Sequence, residues 1–217
     1  MTMPVLFAHP FSSYSQKVLI ALYENDTPFT FRMLEDAAGF AELAALWPLK
    51  QFPVLQDGGT VIESSIIIEH LQFRHPGPVR LIPTDAGVAL QVRFLDRFFD
   101  NYVMGPMQKV VTNQLRGEGE RDAKGVADAQ ARLEASYAWL EGALKGRQWA
   151  AGDAFTLADC AAAPSLFYAD WVLPIGETFA TVRAYRARLL ARPSIARTVD
   201  EARPYRKYFP LVAPDRD

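Results

Sequence analysis

The chain is poor in the residues that build covalent and metal-based architecture. It has one cysteine, Cys160, so an intrachain disulfide is impossible and paired-cysteine metal sites are excluded. Its three histidines, His9, His70 and His75, have neither metal-ligand spacing nor cysteine partners, and no metal is expected. An excess of either charge is also missing. The net charge of −2, with both signs interspersed, leaves no basic stripe for nucleic acid. No apolar run approaches the length that spans a bilayer, and Met1-Thr2-Met3-Pro4 shows no positive segment followed by an apolar core. A cytoplasmic protein without membrane or nucleic-acid partners is expected. What is present is the composition of a globular protein: 217 residues, 50% hydrophobic and 22% charged, enough for one large domain or two small ones.

Phe11-Ser12-Ser13-Tyr14-Ser15-Gln16-Lys17-Val18 organises the reading. The strand-like Val5-Leu6-Phe7 precedes it, and Val18, Leu19, Leu22 and Tyr23 follow at helical spacing. The serines either cap that helix or offer donors, beside its partial positive charge, to a thiolate, oxyanion or phosphate. Residues 29–33 alternate like a strand, 35–46 form a short Ala-rich helix, and Gln51 to Leu55 with Thr60 to Ile62 read as a hairpin around Asp57-Gly58-Gly59. Glu63-Ser64-Ser65 opens a further helix that ends before His75-Pro76-Gly77-Pro78. The order β-α-β-α-β-β-α fits one α/β unit over residues 1–78.

From about Asp85 no strand is expected, so residues 85–217 read as an all-helical domain. Leu90, Phe94, Leu95, Phe98, Phe99 and Tyr102 mark one helix face, and Gly105-Pro106 is expected to kink or break that helix. Residues 117–122 form a polar loop, and helical spacing returns from Val126 to Leu144. Phe155-Thr156-Leu157-Ala158-Asp159-Cys160 has the form of a stapled capping box, with Pro164 a bend in the helix that follows. Two more helices fit 177–191 and 194–202, and the tail from Arg203 is expected to lie irregularly over the surface.

Four segments, in order, resemble the soluble glutathione transferases. Ser12-Ser13-Tyr14-Ser15 is similar to the active-site loop of the serine-type classes, zeta and tau especially. Leu46-Trp47-Pro48-Leu49-Lys50-Gln51-Phe52-Pro53-Val54-Leu55 resembles the family's N-P-x-x-x-x-P-x-L segment, with Trp47 in place of Asn. Glu63-Ser64-Ser65-Ile66-Ile67-Ile68-Glu69-His70-Leu71 resembles its E-S-x-A-I-x-x-Y-L helix start, with His70 in place of Tyr. Phe155 to Asp159 matches the S/T-x-A-D motif of the helical domain. The resemblance implies a thioredoxin-like N-terminal domain, an all-α C-terminal domain and a homodimer.

It also implies a detoxifying transferase that uses glutathione as co-substrate. Ser12 would donate to the glutathione sulfur and favour thiolate, with Ser13 the alternative donor and Tyr14 a third. Phe52-Pro53 is expected to be cis and to leave the Val54 backbone for the cysteinyl residue. Glu63 and Ser64 would hold the γ-glutamyl end, and Lys50 and Gln51 stand where the family contacts the tripeptide. Phe11, Tyr14, Tyr102, Met107, Phe167 and Trp171 are the candidates to line the pocket for a small hydrophobic electrophile. Cys160 reads as a buried, inert thiol. Conjugation, peroxide reduction and glutathione-dependent isomerisation all stay open, although Tyr14 replaces the Cys of the zeta S-S-C-S pattern. The alternative from another class is a non-catalytic binding or scaffold protein on the same fold.

Overall fold

The computed structural model describes residues 3–215 and 217, so the N-terminal reading at Met1-Thr2 lies outside it. Strand β1 (Val5–Ala8) lies inside a four-stranded sheet of order β2-β1-β3-β4. β2 (Thr30–Met33) runs parallel to it, with Leu6 opposite Phe31. β3 (Val54–Gln56) and β4 (Thr60–Ile62) form an antiparallel hairpin, with Leu55 opposite Leu6 on one side and Val61 on the other. Gly58 takes φ 71° at the hairpin turn, a conformation that favours glycine. Helices α1 (Ser13–Glu24), α2 (Ala37–Leu46) and α3 (Ser64–Arg74) complete this half.

Every element from residue 86 onward is helical: α4 (Ala86–Phe98), α5 (Gly105–Gln114), α6 (Ala123–Ala143), α7 (Leu157–Val172), α8 (Ala180–Leu190) and α9 (Pro193–Ala202), with short 3₁₀ turns at 118–120 and 203–208. Helix α1 packs on α3, α7 and α9, and Val18 to Leu22 are all buried. A helix covered on several sides has no need of a polar stripe in its centre. Helix α7 is buried from Leu157 to Trp171 and carries Pro164 inside it.

The Gly105-Pro106 junction departs from the expected kink. A six-residue π-helical turn, Phe99–Met104, joins α4 to α5, and the Gly105 N–H donates to the Asp100 carbonyl five residues back. The wider turn relieves the clash that Pro106 would make in a regular helix. It also changes the helical phase. Tyr102, within the turn, faces outward; ahead of it Leu95 and Phe98 are buried with Phe99, as expected, while Leu90 and Phe94 lie on the exposed side of α4.

The tail is more ordered than its composition suggests. Tyr205 meets His9 edge-on at 4.7 Å, and Phe209 packs against Trp171 at 5.1 Å. Arg203 and Arg206 both pair with the Asp217 side chain, which ties the segment back on itself.

Candidate functional site

The N-terminal ends of α1 and α3 open on the same cleft, of about 580 Å³, where the sheet half meets the α4–α5 arm. Each helix start contributes partial positive charge and backbone donors. Ser12 is the N-cap of α1. Its Oγ accepts from the Ser15 N–H at a long 3.4 Å, which leaves the hydroxyl proton free to point into the cleft. His9 supports the loop: its carbonyl accepts the Ser12 N–H at 3.0 Å, and its Nδ1 accepts the Phe11 N–H at 3.1 Å. Burial lowers the His9 pKa against the raising effect of Glu35, which keeps the ring neutral for that bond.

At the other helix start, Glu63 is the N-cap of α3 with φ 68°, a left-handed conformation unusual for a side chain with a Cβ. Its carboxylate makes no cap bond, and both Glu63 and Ser64 line the cleft. Lys50, also at positive φ (55°), and Gln51 line it from the segment before β3. Tyr14 completes this side. Burial, with Asp100 nearby, pushes its phenol up to about 12, so it stays protonated and could act only as a donor.

Other candidates fall elsewhere. Ser13 is buried in the first turn of α1 and does not line the cleft. Val54 is fully buried, with Phe7 and Ile62 as strand partners on its two sides, and does not line the cleft. Phe52, across the observed cis bond from Pro53, lines the cleft instead. Phe11 turns inward, its ring 5.4 Å from that of Tyr168 and its carbonyl accepting the Tyr168 hydroxyl at 3.0 Å. Met107, Phe167 and Trp171 belong to the hydrophobic core, at 4%, 3% and 7% exposure, and do not line the cleft. Tyr102 is exposed, 5.3 Å from Phe98, and is also outside the lining. Two reasons apply: α7, which carries Phe167 and Trp171, is buried along its length, and the π turn sets the faces of Tyr102 and Met107 on the α4–α5 arm.

The wall from the helical half consists of residues the sequence reading missed: Arg97, Asp100, Asn101 and Gln108. Their only sequence signal is a charged pair three apart, Arg97 and Asp100, inside an aromatic run. Behind them lies a polar knot that joins the two halves. Lys17, 1% exposed, contacts Asp96 at 2.5 Å and Asp100 at 2.8 Å, and donates to Ser65 Oγ at 2.9 Å. Ser65 donates to Asp96 at 2.8 Å, and Arg97 bridges both aspartates. Burial raises the Asp100 carboxyl while Lys17 opposes it. Two cations facing two anions keep the charges compensated, which a buried cluster requires.

A four-stranded thioredoxin-like sheet domain, a helical bundle, and a polar cleft at two helix starts between them define the glutathione-transferase fold. Residues 6–79 match the family model "Glutathione S-transferase, N-terminal domain", and residues 95–193 match "Glutathione S-transferase, C-terminal domain". A glutathione S-transferase from Methylobacterium radiotolerans, solved with glutathione sulfonate, is 31% identical with a TM-score of 0.79, over 91% of this chain and 95% of that one. FtsZ-localized protein A of Caulobacter vibrioides is 27% identical over 194 residues, 85% of each chain. The glutathione S-transferase-like protein LUC7 of a Fusarium species is 34% identical over 130 residues, 59% of each chain, so the match spans little more than half of that relative. The chain belongs to the glutathione S-transferase family.

Proposed function

We propose that the chain is a glutathione transferase that uses Ser12 to hold the glutathione sulfur as thiolate for attack on a small electrophile. The observation that carries this reading is the convergence of Ser12, Glu63, Ser64, Lys50 and Gln51 on one cleft. Ser12 supplies the hydroxyl, and the start of α1 adds partial positive charge beside it. What favours Ser12 over Ser13 is exposure to the cleft, and what favours it over Tyr14 is its place at the helix start. Glu63 faces the γ-glutamyl ammonium, while the Ser64 hydroxyl and the α3 N-terminus face its carboxylate. A thiolate held beside the electrophile gains both nucleophilicity and proximity.

The test is the pKa of bound glutathione's thiol, read by ultraviolet thiolate absorbance, in the wild type and in Ser12→Ala. The reading expects the wild type to lower it and Ser12→Ala to bind with an unshifted thiol. Equal, unshifted thiols in both proteins would defeat the catalytic role. They would favour the second reading, a glutathione-binding protein without turnover, which the similarity to FtsZ-localized protein A along 85% of each chain keeps in view.

A homodimer is part of the proposal. Ile66 and Phe73 on α3, and Leu90 and Phe94 on α4, are exposed apolar side chains on either side of the Glu69–Arg93 ion pair at 2.7 Å. A second copy covering this face would remove them from water. Phe94→Glu should then shift the mass measured by light scattering from dimer to monomer.

A further inference from the structure

Asn101, at the wall of the cleft, also borders a second cavity. This groove, of about 300 Å³, runs between α5 and α6. It is lined by Lys109, Asp128 and Arg132 together with Gly105, Pro106, Gly125 and Ala129. Gly125 sits against a charged pair. A Cβ there would come within 2.6 Å of the Lys109 ammonium and 2.0 Å of the Asp122 carboxylate, so glycine leaves room for that pair.

The charges are unequal. Lys109 pairs with Asp122 at 3.2 Å, and Asp128 pairs with Lys124 at 3.1 Å. Arg132 stands four residues after Asp128 on α6, yet among the described residues its guanidinium has no carboxylate partner. The groove therefore holds one uncompensated cation with a planar set of donors suited to a carboxylate. Meanwhile the apolar candidates for an acceptor pocket, Met107, Phe167 and Trp171, are closed in the core.

Resting on the glutathione reading above, we infer that this site takes electrophiles with an anionic tail, whose reacting end lies at the Ser12 cleft and whose carboxylate reaches past Asn101 to Arg132. Specificity then comes from charge at the far end more than from apolar area at the near end. Arg132 binds the tail and takes no part in activating the thiol.

Binding of conjugates tests this without requiring turnover. Dissociation constants are measured by calorimetry for glutathione, for S-alkylglutathiones and for ω-carboxyalkylglutathiones of matched, increasing chain length. Once the chain spans the distance, the carboxylate should tighten binding about fivefold over its alkyl match, and the gain should shrink as salt is raised. Arg132→Gln should abolish the gain and leave the alkyl conjugates unchanged, which also reports an intact fold. Glutathione binding with no carboxylate gain at any length overturns the tail site and leaves the glutathione reading standing. A gain that survives in Arg132→Gln overturns the role of Arg132. Absence of glutathione binding itself overturns the underlying reading, and the tail site with it.

Discussion

Three helix starts in this molecule carry polar residues and are finished in opposite ways, one closed and two open. At α7, the Asp159 carboxylate is wholly buried and accepts four bonds: the Ala150 N–H at 2.8 Å, the Thr156 N–H at 2.8 Å, the Thr156 hydroxyl at 3.0 Å and the Tyr185 hydroxyl at 2.6 Å. Burial raises its pKa, and these donors oppose that without reversing it. At α1, Ser12 has one long bond and a face in the cleft, and at α3 Glu63 has no cap bond at all. A closed start spends its polarity on the chain itself, so it stabilises the fold. An open start keeps donors and charge for something that is not part of the chain. On the proposed function, the difference between structural and functional polarity is a difference in how many partners are already taken.

The largest effect should come from breaking the closed start. Asp159→Ala would leave the Ala150 and Thr156 N–H groups and the Tyr185 hydroxyl buried without acceptors, at a cost of roughly 3 kcal/mol or more. Urea unfolding should show this loss, while the fraction that stays folded binds glutathione as before. Lost glutathione affinity in the folded fraction would show that the closed and open starts are not separable. Opening the polar knot should be of comparable size. Lys17→Met leaves two facing carboxylates without their buried cation, a loss of about 3 kcal/mol or more by the same measurement.

Ser12→Ala should behave the other way round. Its cap bond is long, so stability should fall by only about 0.5 kcal/mol, the low end for a lost N-cap. The thiol pKa of bound glutathione should rise by about 1 to 2 units, the equivalent of losing a hydrogen bond to a charged group. Glu63→Gly sharpens the contrast further. Glycine accepts φ 68° freely, so the fold should gain roughly 0.5 to 1 kcal/mol while glutathione binding weakens. A thermal melt and a binding isotherm on the same sample read both signs, and parallel losses in the two would remove Glu63 from the site.

The closed start was legible in the sequence because its signal is local: Thr156 and Asp159 three apart, with Phe155 just ahead. The open start was legible only as a serine run before a helix, which fits a cap equally well, and it is the family resemblance that points to a thiol site there. The helical wall was not legible. Arg97, Asp100, Asn101 and Gln108 belong to no motif, and their direction depends on a π turn that hydrophobic spacing cannot report. The same turn put Tyr102 outside the buried face. Phe167 and Trp171 misled for another reason: an aromatic pair at helical spacing looks alike in a core and in a pocket, and only the packing of the elements around α7 decides.

The smallest predicted effect belongs to a third polar cluster, closed like the start of α7 but nearer the surface. His70 and His75 each place Nε2 at 2.8 Å from the same Asp57 oxygen, beside the β3–β4 turn. Burial raises the Asp57 carboxyl, but the two imidazoles outweigh it and hold its pKa below the ordinary 3.8. The folded value is thus the lower one. The stability it contributes is fully present above pH 3.8 and is lost as the pH falls through the folded value. With the imidazoles partly exposed, the contribution should stay under about 1 kcal/mol. Replacing both histidines with Asn should move acid unfolding, followed by circular dichroism, to a slightly higher pH. Glutathione affinity at neutral pH should not change, because both histidines bond to Asp57 and none of the three lines the cleft. If affinity changes as well, a closed cluster is serving the site, and partner count no longer separates structural from functional polarity in this protein.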